Sequence, residues 1–143
     1  MDSKKKIIVA LDTIDTNEAL GLTKLIPNVG AFKLGLEYFC ANGPKGINKI
    51  SETDIKIFLD LKFHDIPNTV AGAIKASLDL EPFMMTVHLS GGYNMLHRVM
   101  EEVKEYCSKK SLKRPLILGV SVLTSIDNND FSSLGIIGKV EDQ

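Results

Sequence analysis

Apolar residues in this chain gather in five short runs, and between the runs they recur three to four positions apart. The runs cover residues 7–11, 30–36, 57–61, 83–89 and 116–123, lengths that suit β-strands. Ala19, Leu20, Leu22, Leu25 and Ile26 follow the first run at helical spacing, and the residues Asp15-Thr16-Asn17-Glu18 have the capping character of a helix start. Leu36, Phe39 and Cys40 open a second stripe, which Gly43-Pro44 should break before a short piece carrying Ile47 and Ile50. Pro67 suits the first turn of a third helix with Val70, Ile74, Ser77 and Leu78 along one side, ended by Glu81-Pro82. A tight loop at Ser90-Gly91-Gly92 precedes a fourth stripe of Leu96, Val99, Met100, Val103 and Cys107. Residues 108–114 read as a solvated basic loop, and Pro115 introduces the fifth strand. Beyond Thr124-Ser125 the pattern weakens: Phe131, Leu134, Ile136 and Ile137 are the apolar candidates, and residues 138–143 read as a frayed end. Strands alternating with helices predict an α/β fold with a parallel sheet and right-handed crossovers.

The third run differs from the others at its end. Alternation puts Phe58, Asp60 and Lys62 on one face and Ile57, Leu59 and Leu61 on the other. Both faces are therefore apolar until a carboxylate and an ammonium arrive together, the pattern of a buried parallel strand that ends in a charged site. Asp65 follows on the loop. Burying such groups unpaired would be costly. Taken alone, Asp60 and Lys62 read as a structural ion pair at a strand end sooner than as a reactive one.

Composition narrows the class. The chain has 143 residues, 44% hydrophobic, with a formal charge of −1, so residues 1–143 are expected to form one soluble domain with no basic field for nucleic acid. Lys4-Lys5-Lys6 before the first apolar run faintly imitates a secretory signal, but Asp12 ends that run too early. The other apolar runs are far too short to span a membrane, so a cytoplasmic protein is expected. Cys40 and Cys107 have no disulfide or zinc spacing and read as reduced thiols.

The motif Asp60-x-Lys62-x-x-Asp65, followed by Ile66-Pro67-Asn68-Thr69, resembles the signature of the orotidine 5′-phosphate decarboxylase family. Four further blocks fit in the family's order: Ala10-Leu11-Asp12, Phe32-Lys33-Leu34-Gly35, Thr86-Val87-His88 with Ser90-Gly91-Gly92, and Val122-Leu123-Thr124-Ser125. The resemblance implies a (β/α)8 TIM barrel, of which about five βα units are present, and a lyase acting on orotidine 5′-monophosphate without cofactor or metal. It makes Lys62 the proton donor and sets Asp60 against the substrate carboxylate. Lys33 would bridge the acids and touch the ribose, Asp12 would accept from a ribose hydroxyl, and Thr124 would touch the pyrimidine. Asp65 and Thr69 would enter the neighbouring subunit's site, which implies a homodimer. Asp12, Lys33, Asp60 and Lys62, together with Asp65 and His88, are expected to form one set of alternating charges at the C-terminal ends of the strands.

Two other readings stand beside this one. Ketogulonate-phosphate decarboxylases carry the same Asp-x-Lys-x-x-Asp strand but use magnesium with an acidic ligand on the second strand, where this chain has Lys33. A catalytically inactive barrel fragment that assembles through its edges is the other. A complete barrel takes about 250 residues and grips phosphate after its seventh and eighth strands. The first and fifth strands are therefore expected to be open edges, and residues 1–143 alone are expected to show little or no decarboxylase activity. Among the histidines, His64 reads as solvent-side and His97 as exposed, while His88 is divided between orienting the site and plain packing. Gly91-Gly92 is more often a turn than a phosphate loop.

Overall fold

A computed structural model of the chain describes residues 3–52 and 55–142. Its five strands are β1 (Ile8–Ala10), β2 (Ala31–Gly35), β3 (Ile57–Phe63), β4 (Met84–His88) and β5 (Leu116–Val120). The helices are α1 (Thr16–Leu25), α2 (Leu36–Ser51), α3 (Pro67–Leu78), α4 (Gly92–Lys110) and the short α5 (Asn128–Ser133). All neighbouring strands are parallel and the sheet runs in chain order from β1 to β5. Each crossover is a helix, so all five C-terminal strand ends lie on one side of the sheet. This is the α/β arrangement of part of a (β/α)8 barrel.

Local chemistry sets the element boundaries. Asp15 caps α1, its carboxylate accepting from the amides of Asn17 and Glu18. At Gly43 the chain leaves helical geometry (φ 58°, ψ −163°) and Pro44 restarts it, so α2 is two helical pieces meeting at the expected break. Pro67 stands at the first turn of α3, whose buried side is Val70, Ala71, Ile74, Ser77 and Leu78. Three expectations change. Leu25 and Ile26 are exposed rather than part of the α1 stripe, whose buried residues are Ala19 and Thr23, while Thr16 at its start bonds Tyr38 and Asn42 of α2. Met100 is exposed too, and the buried side of α4 is carried by Met95, Val99, Glu102, Val103 and Cys107. The basic loop begins later than expected, since α4 continues to Lys110 and stops on Ser111 in the left-handed region (φ 56°). Lys109 and Lys110 favour that extension, because cations complement the negative end of a helix.

Glu102 would be a costly charge to bury alone. Lys75 of α3 pairs with it at 2.8 Å and Arg98 of α4 at 2.7 Å, which ties the two helices together over the sheet. The core itself lies between these helices and the central strands, with Leu34, Leu59, Ile74, Met85 and Val99 fully enclosed. The edges are less covered: Ile8 on β1 and Leu116 on β5 are exposed. β5 ends at Val120, three residues before its apolar run does. Beyond it Phe131 is buried, whereas Leu134, Ile136 and Ile137 are exposed. The expected frayed end is instead a 3-10 turn at Val140–Asp142, held by Asn128 Oδ1 accepting from the Val140 amide; Gln143 lies outside the described residues.

β3 carries the one irregularity of the sheet that bears on chemistry. Leu59 pairs with Met85 and Phe63 with Val87, so Asp60, Leu61 and Lys62 lie opposite the single residue Thr86. Such a bulge turns the strand and re-aims its side chains. Lys62 takes up the distortion at φ 49°, a left-handed conformation unusual for a residue with a Cβ.

Candidate active site at the strand ends

Four charged residues converge where β1, β2 and β3 end. Lys33 Nζ lies 3.5 Å from Asp12 Oδ1 and 3.7 Å from Asp60 Oδ2. Lys62 Nζ donates to the same Asp60 oxygen at 2.7 Å. The order is acid, base, acid, base across three neighbouring strands. Register produces it, because Lys33 continues from the pairing of Ala10 with β2 while Gly35 sits opposite Asp60. Asp60 is the buried centre, its side chain only 10% exposed, whereas Asp12 at the rim is 75% exposed.

Burial pushes the Asp60 carboxyl up, but hydrogen bonds from Lys62 and Thr86 and the charges of Lys62 and Lys33 outweigh it and hold the group below the ordinary carboxylate range. His88, at the end of β4, is held below the usual imidazole value by burial first and then by His64 and Lys62. The rings of His64 and His88 are 5.1 Å apart and tilted. Both depressed groups act on stability in the same direction. The unfolded chain protonates at 6.5 on the imidazole and 3.8 on the carboxyl, before the folded chain does. Stability is therefore full above these values and falls as pH drops, first below the ordinary histidine value and again below the ordinary aspartate value. Urea midpoints recorded from about pH 8 to about pH 3 should show both losses, and His88→Asn should remove the upper one. A midpoint that the histidine substitution leaves unchanged through the upper range would count against this account.

The remaining expected site residues stand apart from this chain of charges. Asp65 is not one of its members: it is exposed on the turn after β3, and its carboxylate accepts from the Ile66 amide at 2.6 Å. A strand that has just ended at Phe63 carries Asp65 past the other acids. Thr69, in the first turn of α3, and Thr124, beyond β5, are also exposed. His88 borders a cavity of about 580 Å³ with His64, Leu89, Val122, Leu123 and Phe131, so it joins the site's flank and not the ionic chain. His64 and His97 are exposed as expected.

Thr86, part of one of the sequence blocks but given no role there, is the further member of the cluster. Its hydroxyl accepts from the Lys62 amide at 2.9 Å and donates to Asp60 Oδ1 at 3.0 Å. A lone hydroxyl in the apolar strand Met84-Met85-Thr86-Val87 was the available signal, but the bulge that brings it opposite Asp60 and Lys62 leaves no mark in the pattern.

No group of three or more His, Cys, Asp or Glu among the described residues is placed to hold a metal ion. Lys33 stands beside Asp60 where a cation would otherwise neutralise the acids. No helix among the described residues is long and apolar enough to cross a membrane.

A parallel sheet of barrel type with alternating acids and lysines at its strand ends defines a class, the (β/α)-barrel proteins that work with fixed charges at the strand mouth. Comparison with known proteins narrows it. The family model described as "Orotidine 5'-phosphate decarboxylase / HUMPS family" matches residues 5–142, and the chain belongs to that family. The orotidine 5′-phosphate decarboxylase of Wolbachia sp. subsp. Brugia malayi is 45% identical over 138 residues, covering 96% of this chain and 58% of that protein. The enzyme of the same name from Syntrophomonas wolfei is 44% identical over 140 residues, covering 96% and 59%. Among solved structures, orotidine 5′-phosphate decarboxylase from Lactobacillus acidophilus superposes with a TM-score of 0.81 at 31% identity, covering 95% of this chain and 62% of that one. The chain thus spans somewhat more than half the length of these relatives.

Proposed function

We propose that this chain carries the reacting end of an orotidine 5′-monophosphate decarboxylase. The observation that carries the reading is the alternating chain Asp12, Lys33, Asp60, Lys62, gathered at one end of three adjacent strands. In the reaction the bond from the pyrimidine ring to its carboxylate breaks, carbon dioxide leaves, and the electron pair stays on the ring carbon. Lys62 stabilises that charge and delivers a proton to the same carbon, then regains one from water. Asp60 keeps the ammonium protonated and stands against the substrate carboxylate. Lys33 holds the two acids apart from one another's charge and contacts the ribose, with Asp12 accepting from a ribose hydroxyl. Thr124, four residues beyond the end of β5, meets the pyrimidine. Neither metal nor cofactor has a role in this scheme.

The exposure of Asp65 and Thr69 on their own protomer supports a site completed by a second subunit, in a homodimer. Lys33 disfavours the magnesium-dependent ketogulonate-phosphate chemistry, since it would repel the cation. A cytoplasmic enzyme of pyrimidine nucleotide synthesis is the setting that such a substrate implies.

The test follows the absorbance of orotidine 5′-monophosphate and the release of carbon dioxide, with the chain alone and with a C-terminal portion of the relatives' length fused to it. Turnover in the fused form, with less or none from residues 1–143 alone, is expected because phosphate contacts remote from the reacting carbon drive the chemistry. A folded fused protein without turnover would overturn the reading. The exposed edges β1 and β5 favour assembly as the second reading, and concentration-dependent oligomers without nucleotide binding would support it instead.

A further inference from the structure

The bulge in β3 leaves a backbone problem that one side chain solves. On the β4 side three residues, Asp60 to Lys62, face Thr86 alone, so the regular ladder between these two strands is interrupted there. The Lys62 amide can only donate, and it donates to Thr86 Oγ1 at 2.9 Å. A hydroxyl has one proton and two lone pairs, so the proton of Thr86 is free for its other neighbour, the Asp60 carboxylate, at 3.0 Å. One buried hydroxyl thus fixes both the backbone that carries Lys62 and the carboxylate its ammonium pairs with.

We infer that Thr86 is a positioning residue for the proton donor: its hydroxyl pins the left-handed backbone of Lys62 and orients Asp60, so that the ammonium is held at one point over the strand mouth. The inference rests on reading Lys62 as the donor. Thr86 touches neither ammonium nor substrate in this role and acts through the two residues it bonds. Lys62 sits at φ 49°, a conformation that persists only where its surroundings enforce it. Without the hydroxyl, the amide and the carboxylate oxygen both lose a partner in a buried setting.

Thr86→Val keeps the shape and removes the hydroxyl; Thr86→Ser keeps the hydroxyl and removes the methyl. In the fused enzyme, valine should lower kcat about tenfold to a hundredfold with KM nearly unchanged, and serine should restore most of it. A second readout needs no turnover: the Asp60 carboxyl carbon, followed by NMR through its titration, should titrate at higher pH in the valine variant and as wild type in the serine variant. The groups facing that carboxyl are Lys62 on its own strand and Lys33 on β2, with Asp12 beyond Lys33 and His88 beyond Lys62, and none of them is altered. Thr86→Ala takes the place of valine if the latter does not fold. An Asp60 titration that the loss of the hydroxyl does not move, or a raised KM at constant kcat, would overturn the inference. Absence of turnover in the wild type would instead strike the decarboxylase reading, and the titration would still decide the role of Thr86.

Discussion

Lys62→Ala should abolish decarboxylation in the fused enzyme, lowering kcat about 10⁴-fold or more, while the fold survives. Two contributions vanish together: the charge that stabilises the ring carbanion and the proton that quenches it. No neighbour can replace them, because Lys33 already lies between Asp12 and Asp60 and approaches the latter at 3.7 Å, against 2.7 Å for Lys62. The fold has little to lose. The Lys62 side chain is a third exposed, and Asp60 keeps Lys33 and Thr86 as partners after truncation. Backbone strain sharpens the expectation, since a residue with a Cβ at φ 49° costs about 1 kcal/mol or more and glycine does not. Lys62→Gly should therefore be as inactive as the alanine variant yet at least as stable to heat or urea, a separation of activity from stability that a merely structural lysine would not give. Initial rates and thermal melts on both variants decide it. Retention of more than about 1% of wild-type kcat by Lys62→Ala would rule out the proton-donor role.

The strain at Lys62 also marks where the sequence stops being readable. Period and punctuation place the strands and helices well, because runs such as 57–61 and breaks at Gly43-Pro44 and Pro67 express local preferences. Side-chain burial on the outer helices is less legible. Leu25 and Met100 satisfy the helical period but are exposed, while Glu102 is a charge on the buried side of α4, paired there with Lys75 and Arg98. The site divides in the same way. Asp60 and Lys62 stand out as charges in an apolar strand, and Lys33 as an interruption of another. Asp65 shares their motif yet not their cluster, since two residues past the end of a strand suffice to leave its face. Thr86 lies in the block Thr86-Val87-His88, but the block alone assigns it no role: its place in the cluster depends on a register shift, which is a property of two strands together.

Asp65 then supplies the second large effect, a recovery of activity on mixing two inactive proteins. Asp65→Ala removes a carboxylate that makes no ion pair among the described residues of its own protomer, so its loss should hardly change stability. If it completes the neighbouring subunit's site, the Asp65→Ala dimer is strongly impaired because both sites lack that acid, and the Lys62→Ala dimer is inactive because both lack the donor. In a mixed dimer the two defects fall together in one site and leave the other with its own Lys62 and the partner's intact Asp65. Random exchange of equal amounts makes half of all dimers mixed, each with one whole site, so activity should rise to about a quarter of wild type under two-fold symmetry. Exposure of Asp65 and Thr69 together on the turn and first helical turn after β3 is what makes such sharing geometrically open. A mixture that has exchanged subunits, shown by a size or affinity tag, and still stays at the level of its parents would place Asp65 in the site of its own chain. That outcome would leave Lys62 as donor and remove the reason for a dimer-dependent site.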